Sequence, residues 1–389
     1  MLVPELRFKE FKSNYTYHKL KDIVDFYKGN TLSKSDIISD GNIPCILYGE
    51  LYTKYNEITR SIFSYTNNSN KSLFYSKFND VLIPCSGETA LDISTSTCVL
   101  LDNVALGGDL NVLRPKNVDG KYLSYLLSNK KRIAIAKYAQ GDSIVHLYAD
   151  KIKNIIISLP SLAEQKKVSL LLELLNKKVE LQQKKIEVLK IYKKGLMQKI
   201  FAQSEINNWN TNILRNILTP GSKVAVTNTS KYQKITIRLN LQGITKSNVN
   251  REMADTRPFY IRRENEIIIG KQNYFNGSIA ILPKEFDGCI CSNAIMSFSV
   301  NSNYLTKFVY YYISQNNYIK RREYFANGTG QKELSETDFL NFQIKAPSIE
   351  NQKHITNILD SIDSKIDSNV NIYTSLTKLK KSLLQQMFI

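Results

Sequence analysis

The chain has 389 residues, room for two or three domains of ordinary size, and a hydrophobic fraction of 42%, that of a folded protein. Lys+Arg outnumber Asp+Glu by 53 to 35, a net charge of +18, which suits nucleic acid or another anionic surface as partner; the drift of an AT-rich genome toward Lys and Asn is the competing source. No apolar run approaches about 18 residues, so no membrane-spanning helix is expected.

Residues 1–11 (MLVPELRFKEF) carry charge too early for a signal peptide. Asn79-Asp80-Val81-Leu82-Ile83 reads as an acidic turn entering a buried strand at 81–84. Residues 121–138 read as one helix. Residues 160–201 form a long helix by pattern. Its apolar positions Val168, Leu172, Leu175, Val179, Ile186, Leu189, Leu196 and Ile200 step by fours and threes, the heptad seam of a coiled coil. A second mixed region follows, with strands at 267–269, 278–282 and 296–300. A helix at 304–325 carries an aromatic stripe, Phe308, Tyr311, Tyr312 and Tyr318, expected in the core. Residues 347–388 close with a second heptad seam: Ile355, Leu359, Ile362, Ile366, Tyr373, Leu376, Leu383 and Met387. Each long helix opens on Pro-Ser, and at 1.5 Å per residue each is roughly 60 Å long.

The two long helices are copies of one another. At an offset of 187, residues 160–201 align with 347–388 without a gap, and 12 of the 42 positions are identical, Gln165, Lys193 and Phe201 among them. Both seams are interrupted at the same places, by Gln182 and Asn369 and by Lys193 and Lys380. Polar groups there fix register or mark a bend. The repeat continues upstream: Ala139-Gln140-Gly141 matches Ala326-Asn327-Gly328, Leu147 matches Leu334, and residues 79–83 resemble 265–269. The middles, 51–76 and 245–263, have diverged. A kept frame with divergent contact regions is what two related readers of different targets look like. Because each helix follows a globular domain, antiparallel packing places the domains at opposite ends, related by a pseudo-two-fold axis.

Several chemistries lack their motifs. There is no Pro-Pro, and so no Asn/Asp-Pro-Pro-aromatic motif for a flipped base. No GxGxxG follows a strand, and no GxxxxGK[ST] phosphate loop exists. His18, His146 and His354 are too scattered for a shared base or a metal cluster. Glu164-Gln165-Lys166 fits half of a nuclease motif, but its counterpart Asn351-Gln352-Lys353 lacks the acid. Cys45, Cys85, Cys98, Cys289 and Cys291 form no CxxC pair and read as reduced thiols of a cytoplasmic protein. Cys289 and Cys291 would share one face of a strand.

The ordered pair of domains and helices resembles the specificity subunits of type I restriction–modification systems, over essentially the whole chain. Val3-Pro4-Glu5-Leu6-Arg7-Phe8 is similar to the usual opening of such chains, and residues 209–217 to the opening of the second recognition domain. IISLPSLAEQK (156–166) and IKAPSIENQK (344–353) resemble the family's strand-Pro-x-x-Glu-Gln entry into each conserved helix, with Asn351 in place of Glu in the second. Asn327-Gly328-Thr329-Gly330-Gln331-Lys332-Glu333-Leu334 resembles the loop closing each recognition domain; the first copy, residues 141–147, departs from it and lacks the Gln.

The resemblance implies an α+β chain: two mixed α/β target-recognition domains (1–158 and 205–346) and two long antiparallel coiled-coil spacer helices (159–204 and 347–389). It implies sequence-specific recognition of an asymmetric, bipartite site in duplex DNA, one half per domain. Catalysis would belong to partners: methyltransferase subunits that bring S-adenosylmethionine and methylate adenine N6, and restriction subunits that bring ATP. This chain would hold no cofactor and no metal.

Of the +18, the first helix holds +6 and the second +1, which leaves +11 mainly on the globular halves. That charge supplies the salt-dependent share of DNA affinity. Base choice needs polar side chains at groove edges. The candidates are Tyr48, Lys54, Tyr55, Arg60 and Lys71 in the first half. In the second they are Arg238, Asn240, Gln242, Arg251, Arg262, Lys271, Gln272, Asn273, Gln331 and Lys332. Gln182 and Asn369 are expected to hydrogen-bond, directly or through a water, and to set the helix register. The competing readings are a non-enzymatic coiled-coil interaction protein with two protein-binding domains, and an RNA binder, for which no RNP-like or GXXG pattern is present.

Overall fold

The computed structural model describes residues 3–69, 72–141, 144–206, 209–247, 257–325 and 333–389. The chain forms two compact units, Met1–Gln183 with Asn371–Ile389, and Lys184–Val370. Each unit combines one globular region with part of each long helix.

In the first unit the strands are β1 (Thr16–Lys19), β2 (Val24–Lys28), β3 (Ile43–Ile46), β4 (Ile58–Thr59), β5 (Ser64–Thr66), β6 (Phe74–Tyr75), β7 (Asp80–Pro84), β8 (Ser86–Gly87), β9 (Thr97–Val99), β10 (Ala105–Leu106), β11 (Leu110–Pro115), β12 (Val145–His146) and β13 (Ile156–Leu159). They build a five-stranded sheet, β2-β11-β7-β9-β4, a four-stranded sheet, β5-β3-β10-β6, and the pairs β1-β13 and β12-β8. The helices are α1 (Leu20–Ile23), α2 (Glu50–Thr53), α3 (Gly120–Ser128), α4 (Arg132–Ala136), α5 (Ala149–Ile152) and the first part of α6 (Leu162–Ile206).

The second unit holds β14 (Asn210–Ile213), β15 (Leu218–Pro220), β16 (Ile235–Ile237), β17 (Ile244–Lys246), β18 (Phe259–Ile261), β19 (Ile267–Gly270), β20 (Ile279–Ile281), β21 (Ile290–Ser292), β22 (Ile295–Val300) and β23 (Gln343–Ala346). Its main sheet runs β15-β22-β19-β20, with pairs β14-β23, β16-β17 and β18-β21. Its helices are α7 (Thr306–Ile313), α8 (Asn316–Lys320), α9 (Glu336–Leu340) and the first part of α10 (Ile349–Gln386).

The acidic turns of the repeat are the same structure twice. Asn79 and Asn265 both sit at positive φ, 79° and 66°, a conformation Asn tolerates better than most residues. The carboxylates that follow close the turns: Asp80 accepts from Lys77 N at 2.8 Å, and Glu266 from Arg263 N at 3.0 Å. Each turn feeds a fully buried strand, β7 or β19.

Neither medium-length helix is continuous, in contrast to the sequence expectation. The 121–138 segment breaks between α3 and α4, where Asn129 turns its amide back to Tyr125 O at 2.9 Å. The 304–325 segment breaks at Gln315, which is extended (φ −61°, ψ 132°) and donates to Tyr312 O at 2.9 Å. In both breaks a side-chain amide bonds a backbone carbonyl at the end of a helix. The aromatic stripe lies in the core as expected: Phe308, Tyr311 and Tyr318 are buried in one cluster, with Tyr312 packed against it.

Within each unit the two long helices run antiparallel. In the first, Leu6 N donates to Gln386 O beside the Arg7–Glu164 ion pair, and further along α6 Glu57 accepts from both Asn176 and Lys380. Advancing along α6 therefore means moving back along α10. In the second, Lys193 meets Asp363 at 2.6 Å, while Met197 and Phe201 share a core with Leu359 and Ile355. The seam lysines are thus explained by acids within reach, Asp363 for Lys193 and Glu57 for Lys380. Asn369 is buried and donates to Lys365 O along its own helix at 2.6 Å. Glu164, the acid of the nuclease-like triplet, is buried; it takes two 2.8 Å bonds from Arg7 and one from Tyr15.

Candidate nucleic-acid interface

In the second unit, β16 and β17 form a hairpin whose tip, residues 238–243, is closed by Arg238 N donating to Gly243 O at 2.8 Å. Asn240 and Leu241 both lie at φ +57°, a conformation costly for Leu. The tip is held by a second loop: Asn240 N donates to Asn276 O at 2.8 Å and Leu241 N to Gly277 O at 3.0 Å. Gly277 has φ +73°, and a Cβ there would lie 3.1 Å from Leu241 N, so a side chain would strain the backbone and crowd this docking. Asn276 Nδ2 in turn donates to Asn273 Oδ1 at 3.2 Å. The fold thus brings Arg238, Asn240, Gln242, Gln272 and Asn273 to adjoining loops, all exposed. Gln272 and Asn273 also line a cavity of about 520 Å³ with Lys234 and Arg257. Lys271 is half-buried, 4.0 Å from Glu333.

Arg262 corrects the sequence reading. It is 3% exposed, its guanidinium donates to Cys291 Sγ at 3.0 Å, Ser222 O at 3.1 Å and Ile295 O at 3.2 Å, and it lies over the Tyr260 ring. Its donors are used to tie the unit together, which leaves a groove edge nothing to meet. Cys289 and Cys291 are both buried in one cluster, and burial pushes both thiols up.

In the first unit, Tyr48 and Lys54 line a cavity of about 990 Å³ together with Glu50, Glu88 and Asp109. Buried Glu50 accepts from Lys54 Nζ at 2.8 Å and from Leu47 N at 3.0 Å. Tyr55 is a second correction: it is a 9%-exposed core residue whose hydroxyl accepts from Phe63 N at 3.2 Å, and burial pushes its phenol far up. Arg60 is exposed but paired with Glu173 of α6, which also takes Lys121 at 3.1 Å. Burial raises the Glu173 carboxyl, and the hydrogen bonds and charges of Arg60 and Lys121 outweigh it, holding it below the usual range. Lys71, Arg251, Gln331 and Lys332 lie outside the described residues.

The sequence reading passed over exposed cations just upstream of each closing loop: Lys130 and Lys137 in the first unit, Lys320 and Arg321 in the second. Their signal was a short basic run before Ala-x-Gly in both copies. Among the described residues, no group of three His, Cys, Asp or Glu could hold a metal, and no helix is long and apolar enough to cross a membrane.

Polar loops on two rigid sheet frameworks, built to one plan and carried by a strongly basic chain, define a DNA-recognition protein. The model of the type I restriction modification DNA specificity domain matches residues 12–190 and again residues 205–378. The chain belongs to that family and recognises DNA in a sequence-specific manner. It is 27% identical over 307 residues to a putative type I restriction enzyme MjaX specificity subunit of Methanocaldococcus jannaschii, covering 72% of this chain and 70% of that one. It is 24% identical over 351 residues to the type I restriction enzyme MjaVIII specificity subunit of the same organism, covering 81% and 79%. The fold is similar to the crystal structure of a type I restriction–modification S subunit from M. genitalium, with a TM-score of 0.66, 17% identity, and 100% and 99% of the two chains covered. A chain from a study of type I R-M complex assembly aligns with a TM-score of 0.55 at 13% identity, covering 97% and 98%.

Proposed function

We propose that the chain is the non-catalytic specificity subunit of a cytoplasmic DNA-modifying complex, in which each recognition domain reads one half of an asymmetric, bipartite duplex site. The observation that carries it is the double match of one DNA specificity domain within a single chain, with a kept frame and divergent loops. The segments 1–158 and 205–346 do the reading, and 159–204 and 347–389 act as spacer and platform. Arg238, Asn240, Gln242, Gln272 and Asn273 in the second domain, and Tyr48 and Lys54 in the first, supply contacts to DNA.

Methyltransferase subunits bring S-adenosylmethionine, and restriction subunits, where present, bring ATP. The outer face of α6 gives them an apolar surface: Leu170, Leu174 and Leu181 in the first unit, Val188, Ile191 and Tyr192 in the second, all exposed. A mere coiled-coil adaptor is not favoured, because seam residues Val168, Leu172 and Met387 are buried in the core of the first unit and Ile355 and Leu359 in that of the second.

The test is an exchange of residues 209–346 for the same region of a related chain, with co-expression of the neighbouring methyltransferase gene and mapping of methylated adenines. One half of the methylated motif should change while the other stays. A change in both halves at once contradicts the modular reading.

A further inference from the structure

The closing loop of the first recognition domain departs from its counterpart in the second, and the structure shows what it carries instead. β12 (Val145–His146) lies in this loop, and side-chain burial alternates from 144 to 148 as along a strand. Val145 and Leu147 are buried, at 7% and 0% exposure, while Ile144 and Tyr148 are 60% and 50% exposed. His146 lies between those two on the outward face, part-exposed, its ring stacked 6.2 Å from that of Tyr148.

The backbone of this strip is fixed on both sides. β12 pairs with β8, His146 opposite Ser86, and on the other edge His146 and Gln140 exchange bonds of 2.7 and 3.0 Å.

The imidazole is fixed as well. Ser86 Oγ lies 3.0 Å from His146 Nδ1 and 3.1 Å from Asp109 Oδ2. Ser86 is buried and has one hydroxyl proton. An ionised carboxylate accepts only, so that proton goes to Asp109. With that proton on Asp109, the bond to the imidazole uses the hydrogen on Nδ1, and Ser86 Oγ accepts. In the uncharged ring this leaves Nε2 as a bare acceptor. With Ser between His and Asp, the order is not that of a nucleophile activated by a base; it is a device that selects a tautomer.

We propose that His146 is a specificity-determining residue of the first recognition domain, reading an exocyclic amino group through Nε2 and held in that role by Ser86 and Asp109. Among major-groove edges only adenine N6 and cytosine N4 present such donors; guanine and thymine offer O6, N7 or O4 acceptors, which a bare lone pair repels.

The inference rests on the reading of the chain as a bipartite DNA reader, and the test separates the two. Full-length wild-type protein and variants select from a duplex library randomised across the site, at one salt concentration. Wild type should return two half-sites, with adenine or cytosine at one position of the first. His146→Ala should relax that position, losing roughly three- to tenfold in discrimination. The second half-site, which His146 does not reach in this reading, should keep its wild-type sequence and serves as the internal control. His146→Arg, which only donates, should move the preference at that position to guanine. Ser86→Ala frees the tautomer and should weaken the discrimination. Selected motifs identical to wild type for both His146 variants overturn the proposal. A wild type that selects no motif overturns the bipartite reading itself, and this inference with it.

Discussion

Gln165 and Gln352 make the same two hydrogen bonds in the two units. Each amide group donates from Nε2 to the carbonyl of the proline five residues before it, Pro160 at 2.9 Å and Pro347 at 3.0 Å. Each accepts at Oε1 from a backbone N–H just ahead of a medium-length helix, Asp119 N at 3.1 Å and Leu305 N at 3.0 Å. One side chain thereby locks the start of a long helix to the start of a shorter one, α6 to α3 and α10 to α7. Both glutamines are buried, so truncation strands a donor and an acceptor away from water. Gln165→Ala and Gln352→Ala should each destabilise their own unit by about 1–3 kcal/mol per stranded group at most. Denaturant unfolding checks this; a loss below about 0.5 kcal/mol for both would show that the shared bonds are incidental.

Arg238 and Arg262 should separate contact from architecture. Arg238 is exposed on the β16–β17 tip, and Arg262 is buried under β21 and β22 contacts. Arg238→Ala should leave the melting temperature near wild type and weaken duplex binding. If Arg238 meets a phosphate, the slope of log affinity against log salt should become shallower by about 0.9. Arg262→Ala should lower stability by about 2–4 kcal/mol by unpairing buried acceptors. Titrations of each variant over a range of salt, with parallel melts, decide it; a stable Arg262→Ala protein with lost affinity reverses the assignment.

The antiparallel helix pair gives a cross-linking test. Val168 and Met387 are buried in one core of the first unit. Cysteines at these two positions should join within a single chain under mild oxidation, seen as a mobility shift without dimer. Ready dimer formation with no internal bond would indicate pairing between chains.

The purified chain should transfer no methyl group to DNA from S-adenosylmethionine and cut no DNA with ATP. Radiolabel incorporation measures the first, and plasmid nicking the second. Site-specific methylation by the chain alone sinks the non-catalytic reading.

Much of the fold was legible in the sequence because its signals are one-dimensional. Heptad steps in residues 160–201 and 347–388 commit those segments to helix and to a partner seam. The repeat marked the frame, at an offset of 187 through the long helices and of 186 at the Asn79 and Asn265 turns. The breaks at Asn129 and Gln315 were not legible, because the apolar pattern runs through both sites and the interruption is made by side-chain bonds to backbone.

Burial and partnership were decided by tertiary structure alone. An Arg and a Tyr in a variable stretch look alike whether they face solvent or the core. Only the folded unit puts Cys291, Ser222 and Ile295 around Arg262, and Phe63 against Tyr55. The same holds for His146: its neighbours Ser86 and Asp109 are 60 and 37 residues away in the chain. Sequence by itself determined a repeated, basic, two-helix frame, since periodicity and charge are properties of local order. Which polar groups are free to read DNA depends on long-range packing, since a hydrogen bond already made inside the protein is no longer available to a base.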